Sequence, residues 1–170
     1  MAQVLIIDDH DSMREGLELL LRRRGHKTLS ADGGERGLAL LEEVGADLVI
    51  TDLKMAKLDG IQVLEKVKGG YPDTEVLIIT AYGTIEKAVE AMQKGADNYI
   101  LKPFDNATLL ACVKKAAAVY RVLKENRRRL NFYEYYGVYP ITGTAYETPL
   151  GESAAPFLLF DGLGRKAPLG

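Results

Sequence analysis

The sequence predicts an α/β fold: a doubly wound, five-stranded parallel sheet with helices on both faces and an extended last helix. Three observations predict it. Short apolar runs alternate with amphipathic segments from residue 1 to about 125, the pattern of strands alternating with helices. The first, third and fourth runs are continuously apolar, as expected of central strands covered on both faces. Gly25, Gly45, Gly69–Gly70 and Gly95 stand where amphipathic segments end, the usual place for a helix to stop.

Taken in order, the strand candidates are Val4–Asp8, Lys27–Ser30, Leu48–Asp52, Val76–Thr80 and Asn98–Leu101. The helix candidates are Ser12–Arg24, Gly34–Val44, Ile61–Lys68, Ile85–Lys94 and one beginning near Asn106. Right-handed crossovers between parallel strands then wind the helices onto both faces. The last helix runs on, because Leu109, Val113, Ala116, Tyr120, Leu123, Arg127 and Leu130 recur in steps of four and three. That seam serves either a short two-stranded coiled coil, interrupted by Arg127, or packing on the chain's own domain. After Leu130 no helical period is visible, and five tyrosines lie between Tyr133 and Tyr146. The expected division is a domain over 1–125, with the helix end and an aromatic tail over 126–170.

With 170 residues, 47% of them apolar and 27% charged, the chain has the balance of a globular protein. Apolar runs such as Val76 to Ile79 and Phe157 to Phe160 are too short to cross a bilayer, and no basic start leads into an apolar signal segment. A cytoplasmic, non-membrane protein is expected. Cys112 is the only cysteine, which excludes an internal disulfide framework and a cysteine metal cluster. The net charge of −2 is uneven: Lys114 to Leu130 carries +6, leaving −8 on the rest.

Functional groups of doubly wound sheets gather beyond the carboxyl ends of the strands. Asp8 and Asp9 end the first strand, Asp52 the third and Thr80 the fourth, while Lys102 follows the fifth. One such aspartate is commonly a helix cap or turn former; that explanation does not cover all five residues at one rim. Three carboxylates held together repel one another unless a cation sits among them, and an all-oxygen set suits Mg²⁺. Zn²⁺ calls for His or Cys, and the single His10 beside the acidic pair reads as a solvated loop residue. Phosphoryl transfer to a carboxylate requires a nucleophile, a metal and hydrogen-bond donors. Asp52 fits the nucleophile, Asp8 and Asp9 the metal holders, Lys102 the cationic clamp and Thr80 the donor.

The segments Val4-Leu5-Ile6-Ile7-Asp8-Asp9, Asp52-Leu53-Lys54-Met55 with Asp59-Gly60, Ile79-Thr80-Ala81, Gly95-Ala96 and Leu101-Lys102-Pro103-Phe104 together resemble the CheY-like response-regulator receivers. The resemblance implies strand order 2-1-3-4-5, Asp52 as the phosphorylated residue, and a phosphohistidine on a sensor histidine kinase or phosphotransfer protein as donor. It also implies the backbone carbonyl of Lys54 as a further Mg²⁺ ligand and a cis Lys102–Pro103 peptide. Thr80 and Tyr99 correspond to a switch pair, expected to face each other across adjacent strands and to change the surface of the fourth helix, fifth strand and fifth helix. This chain departs from the family at Ala56, where proline is usual, so a more mobile loop is expected.

Ser12-Met13-Arg14-Glu15, Thr80-Ala81-Tyr82-Gly83 and Leu123-Lys124-Glu125-Asn126-Arg127 resemble NtrC-type receivers, which imply transcription regulation. The nucleotide loop of the ATPase domain that follows such receivers does not occur in the 170 residues. Two other readings stand beside this one. A phosphatase of the haloacid-dehalogenase kind needs Asp-x-Asp after the first strand, whereas Asp8 and Asp9 are adjacent. Direct nucleic-acid binding through the basic last helix competes with the simpler reading of a solvated helix end. The helix seam and tail also make a homodimer a candidate assembly.

Overall fold

The structure, a computed structural model, describes residues 1–136, 140–141 and 160–161, with side chains described as far as residue 130. The chain divides into two units, Met1–Leu123 and Lys124–Gly170. The first contains β1 (Gln3–Ile7), α1 (Asp11–Arg23), β2 (Lys27–Ala31), α2 (Gly34–Val44), β3 (Leu48–Thr51), α3 (Gly60–Gly70), β4 (Glu75–Thr80), α4 (Ile85–Gln93), β5 (Asn98–Leu101) and the start of α5 (Asn106–Tyr136). The strands form one parallel sheet in the order β2-β1-β3-β4-β5. The three continuously apolar runs are the three interior strands.

Alternation along each strand sends side chains to opposite faces, and two cores result. Leu5, Ile7, Val49, Val76 and Ile78 meet Leu41 of α2, Val63, Leu64 and Val67 of α3 and Ala91 of α4. On the other face Val4, Ile6, Leu48, Ile50, Leu77 and Ile79 meet Leu17 and Leu21 of α1 and Leu109 and Val113 of α5. Each fully buried aliphatic side chain of this kind contributes about 1.5–3 kcal/mol, so the strand register is fixed from both sides. A one-residue slip would exchange the two cores.

Several boundaries differ from the sequence reading for local reasons. The strands β1 and β3 end one residue early, leaving Asp8 and Asp52 just past them. Both remain held by the sheet, since the Asp8 N–H donates to the Ala31 carbonyl at 3.2 Å and the Asp52 N–H to the Ile7 carbonyl at 3.0 Å. Helix α3 runs through Gly69 and Gly70; it stops at Tyr71, the residue before Pro72, where the helical conformation is disfavoured. Its start is fixed by a capping box, with Asp59 Oδ1 accepting from the Gln62 N–H at 2.8 Å and Gln62 Oε1 from the Asp59 N–H at 3.0 Å.

The largest difference is in α5, which continues past Leu130 to Tyr136. Adding residues to an existing helix is inexpensive, and Asn131 to Tyr136 contains neither Gly nor Pro; Gly137 follows at once. In the second unit Glu125 accepts from Arg129 Nε at 3.2 Å, and β6 (Pro140–Ile141) pairs in parallel with β7 (Phe160–Asp161). The remaining aromatic tail, including Tyr139, Tyr146 and Phe157, lies outside the residues whose side chains are described. Among the described residues no helix is long and apolar enough to cross a membrane.

Candidate functional site

The rim at the carboxyl ends of the strands collects the expected groups. Parallel pairing brings Ile7 beside Thr51, so the residues that follow, Asp8 and Asp52, lie side by side. Both are buried. Lys102, after β5, closes the cluster: its Nζ donates to Asp8 Oδ2 at 3.0 Å and to Asp52 Oδ2 at 2.9 Å. Burial by itself would lower the Lys102 pKa, but its hydrogen bonds to Asp52 and Asp8, together with their charges, outweigh it and hold the ammonium above its ordinary value. The peptide between Lys102 and Pro103 is cis.

Asp52 is positioned by its own loop. The Lys54 N–H donates to Asp52 Oδ1 at 3.3 Å, and Thr51 Oγ1 donates to the Asp52 carbonyl at 3.0 Å. The loop returns through Lys57, which adopts φ +67°, and delivers Gly60 against the Asp52 backbone. A Cβ on Gly60 would lie 2.2 Å from the Asp52 carbonyl oxygen, so only glycine permits this approach. The sequence offered Asp59-Gly60 as a matching pair without revealing this role.

Thr80 is fully buried, and its Oγ1 accepts from the Tyr82 N–H at 3.1 Å. The register pairs Thr80 with Leu101 and Tyr99 with Ile78. The sequence reading set Thr80 and Tyr99 face to face, but they are not directly opposed: they share one face of the sheet, offset by two residues, because Thr80 ends β4 level with Leu101 at the end of β5, two residues beyond Tyr99. Tyr99 is half-buried, its hydroxyl buried without a hydrogen bond. Burial, and then the charge of Asp52, raise the phenol pKa, so the electrostatic reach of Asp52 extends to this ring.

Two contributions were missed in the sequence. Arg14, six residues after Asp8 on the first turns of α1, donates through Nη1 to the Asp8 carbonyl at 2.7 Å and also pairs with Asp11. His10 is exposed in the loop before α1, as expected, but its ring also contacts the acidic pair, with Nδ1 3.2 Å from Asp8 Oδ1 and 2.9 Å from Asp9 Oδ1. Adjacency to the acidic pair was the only available signal, and it does not fix where a ring points.

Ligand atoms of Asp8, Asp9, His10 and Asp52 all lie within 4.8 Å of one another. Three carboxylates at this spacing, with Asp9 open to water, fit a hard divalent cation that keeps part of its hydration shell. The donor set therefore accommodates Mg²⁺.

The response regulator receiver domain model matches residues 4–114. Among curated proteins, the chain is 40% identical over 116 residues to the response regulator protein FleR of Pseudomonas aeruginosa, covering 68% of this chain and 24% of that protein. It is 41% identical over 115 residues to the transcriptional regulatory protein ZraR of Escherichia coli K12, covering 68% and 26%. The chain thus spans about a quarter of the length of these relatives. A response regulator receiver domain protein from Clostridium thermocellum superposes with a TM-score of 0.69 at 33% identity, covering 72% of this chain and 99% of that one. These matches displace the phosphatase alternative, and the chain belongs to the response-regulator receiver domains of two-component systems, homologous to NtrC-type regulators.

Proposed function

We propose that Asp52 accepts a phosphoryl group from a phosphohistidine on a sensor histidine kinase or phosphotransfer protein. The observation that carries this reading is the buried Asp8–Lys102–Asp52 bridge, with both contacts at 3.0 Å or less. An Asp52 oxygen forms the new bond to phosphorus as the donor's P–N bond breaks, and the imidazole nitrogen keeps the bonding pair. Lys102 Nζ, already 2.9 Å from Asp52, donates to an oxygen of the arriving group. Thr80 Oγ1 and the N–H groups beside Asp52 supply further donors. Asp8, Asp9, Asp52 and the backbone carbonyl of Lys54 would hold Mg²⁺, which neutralises phosphoryl charge when bound.

The receiver occupies residues 1–125 in this reading, with 126–170 as helix end and tail. The domain catalyses only its own phosphorylation and dephosphorylation. Its output is the surface of α4, β5 and α5, where Ile85, Val89, Met92 and Leu101 are exposed, reset through Thr80 and Tyr99. The protein acts in the cytoplasm in transcription regulation, without direct nucleic-acid binding, as a homodimer joined through α5 and the tail.

A small phosphoryl donor with Mg²⁺, followed by mass mapping of the purified chain, tests the chemistry. A base-labile label on Asp52 that vanishes in Asp52→Asn is expected. A label on His10 instead would overturn the assignment.

A further inference from the structure

At the end of the sheet away from the rim, two acidic side chains meet where β4 and β5 begin. Glu75, the first residue of β4, is buried, and its carboxyl group shares a side-chain hydrogen bond with Asp97, the residue just before β5. An ionised carboxylate only accepts, so two of them share a hydrogen bond only when a proton stays on one. The donors converge on Asp97 and not on Glu75: Asp97 Oδ2 accepts from Lys68 Nζ of α3 and from the Val76 N–H at 2.7 Å each. Lys68 Nζ is tied further to the Thr74 carbonyl at 2.9 Å. The proton therefore belongs to Glu75. Burial, then the charge of Asp97, delay its release to about pH 7 against the opposing pull of Lys68 and of Lys115 on α5. Asp47, before β3, offers Glu75 only its backbone, its carbonyl accepting from the Glu75 N–H at 3.1 Å, while its carboxylate accepts from the Gln3 N–H at 2.9 Å.

A cavity of about 20 Å³ adjoins the pair, with Asn98, Cys112, Lys115 and Ala116 in its lining, and that is space for about one water. Across it the start of β5 holds α5, since Asn98 Nδ2 donates to Cys112 Sγ at 3.0 Å. We propose that the Glu75–Asp97 pair is a proton-operated latch joining β4, β5 and α5, closed while the pair holds its proton and loosened when the proton leaves. Deprotonation sets two like charges beside the first rung of the β4–β5 ladder, where the Asp97 N–H donates to the Val76 carbonyl at 2.9 Å. It also calls water and the Lys115 ammonium toward a buried carboxylate that has lost its partner. The start of β5 and the turn of α5 around Cys112 then open more often. In the reading above these elements belong to the output surface, so the latch makes that surface respond to pH near neutrality without Asp52. Only this last step rests on that reading.

Nuclear magnetic resonance of the whole, unphosphorylated chain tests the latch apart from the chemistry of Asp52. The Glu75 carboxyl carbon and the amides of Asn98, Cys112 and Lys115 should titrate together with a midpoint near pH 7. Hydrogen exchange at those amides, divided by the intrinsic rate at each pH, should quicken about three- to tenfold between about pH 6 and pH 8. In Glu75→Gln, whose side-chain amide donates to Asp97 as the protonated acid does, neither change should occur. A Glu75 midpoint near the ordinary 4.5, or the same quickening of exchange in both chains, would overturn the latch. If Asp52 takes no phosphoryl label while the titration stands, the output step falls and the latch remains.

Discussion

Lys54 and Tyr82 stand two residues beyond Asp52 and Thr80, on different loops, and Lys54 Nζ lies 4.4 Å from the centroid of the Tyr82 ring. A cation over an aromatic face at an exposed position is worth about 0.5–1 kcal/mol, enough to bias two mobile side chains toward each other across the mouth of the site. In the proposed phosphorylated state, this pair would border the path of the water that hydrolyses the acyl phosphate on Asp52. Removing either side chain in Lys54→Ala or Tyr82→Ala should shorten the phosphoryl lifetime on the order of 2- to 10-fold. The double variant should lose little more than either single one, because the contact is already broken. Lifetimes measured after donor removal decide this, and unchanged decay in both single variants refutes the gate. At this scale the five rim residues Asp8, Asp9, Asp52, Thr80 and Lys102 were legible because apolar runs mark where strands end. The placements of His10, Arg14 and Gly60 were not, since each depends on how a loop folds back, and loops carry no period.

Helix α5 shows where periodicity stops being enough. Its repeat runs from Leu109 to Leu130, broken only at Arg127, but the helix uses that repeat in two ways. Leu109, Val113 and Ala116 are buried in the domain's own core, whereas Leu123 and Leu130 are exposed, Leu130 by 59%. A heptad-like spacing reads the same in both stretches, because sequence gives the stripe and not what covers it. Val119 and Val122 add to the exposed stretch. Two copies of the chain laid along this half of the helix would cover it. Sedimentation across a concentration series should show self-association for the full chain, weakened both by ending the chain after Leu130 and by Leu130→Glu, with phosphorylation of Asp52 intact. Monomeric profiles at every concentration for the full chain would exclude the dimer. Helix ends were legible to within a residue or two where a cap or proline acts locally, as at Asp59 and Pro72. The run from Asn131 to Tyr136 was not, because continuation of an existing helix needs no strong local signal.

For the molecule as a whole, one contribution to the pH dependence of stability lies at the end of the sheet opposite the rim. Glu75, the first residue of β4, is only 5% exposed. Burial, then the charge of Asp97, raise its pKa from 4.5 to about 7, against smaller opposing effects from Lys68 and Lys115. Asp97, which also shares a side-chain hydrogen bond with Glu75, accepts from Lys68 Nζ and from the Val76 N–H at 2.7 Å each. The folded chain therefore keeps a proton on Glu75 that the unfolded chain releases above pH 4.5. This contribution is fully present below that pH, declines as pH rises toward about 7, and changes no further above it. The loss is on the order of 1–3 kcal/mol. Urea midpoints between pH 5 and pH 8 should accordingly fall less in Glu75→Gln than in the unaltered chain, and parallel slopes would refute the assignment. The reactive rim is closed over much longer reaches of chain: Lys102 holds partners 94 and 50 residues earlier in the sequence. During synthesis the two aspartates leave the ribosome well before their cation, and β4 and β5 have to dock before it can reach them. Asp52, the proposed nucleophile, thus lacks its Lys102 partner on every unfinished or partly opened chain, and gains it only once the last strand is in place.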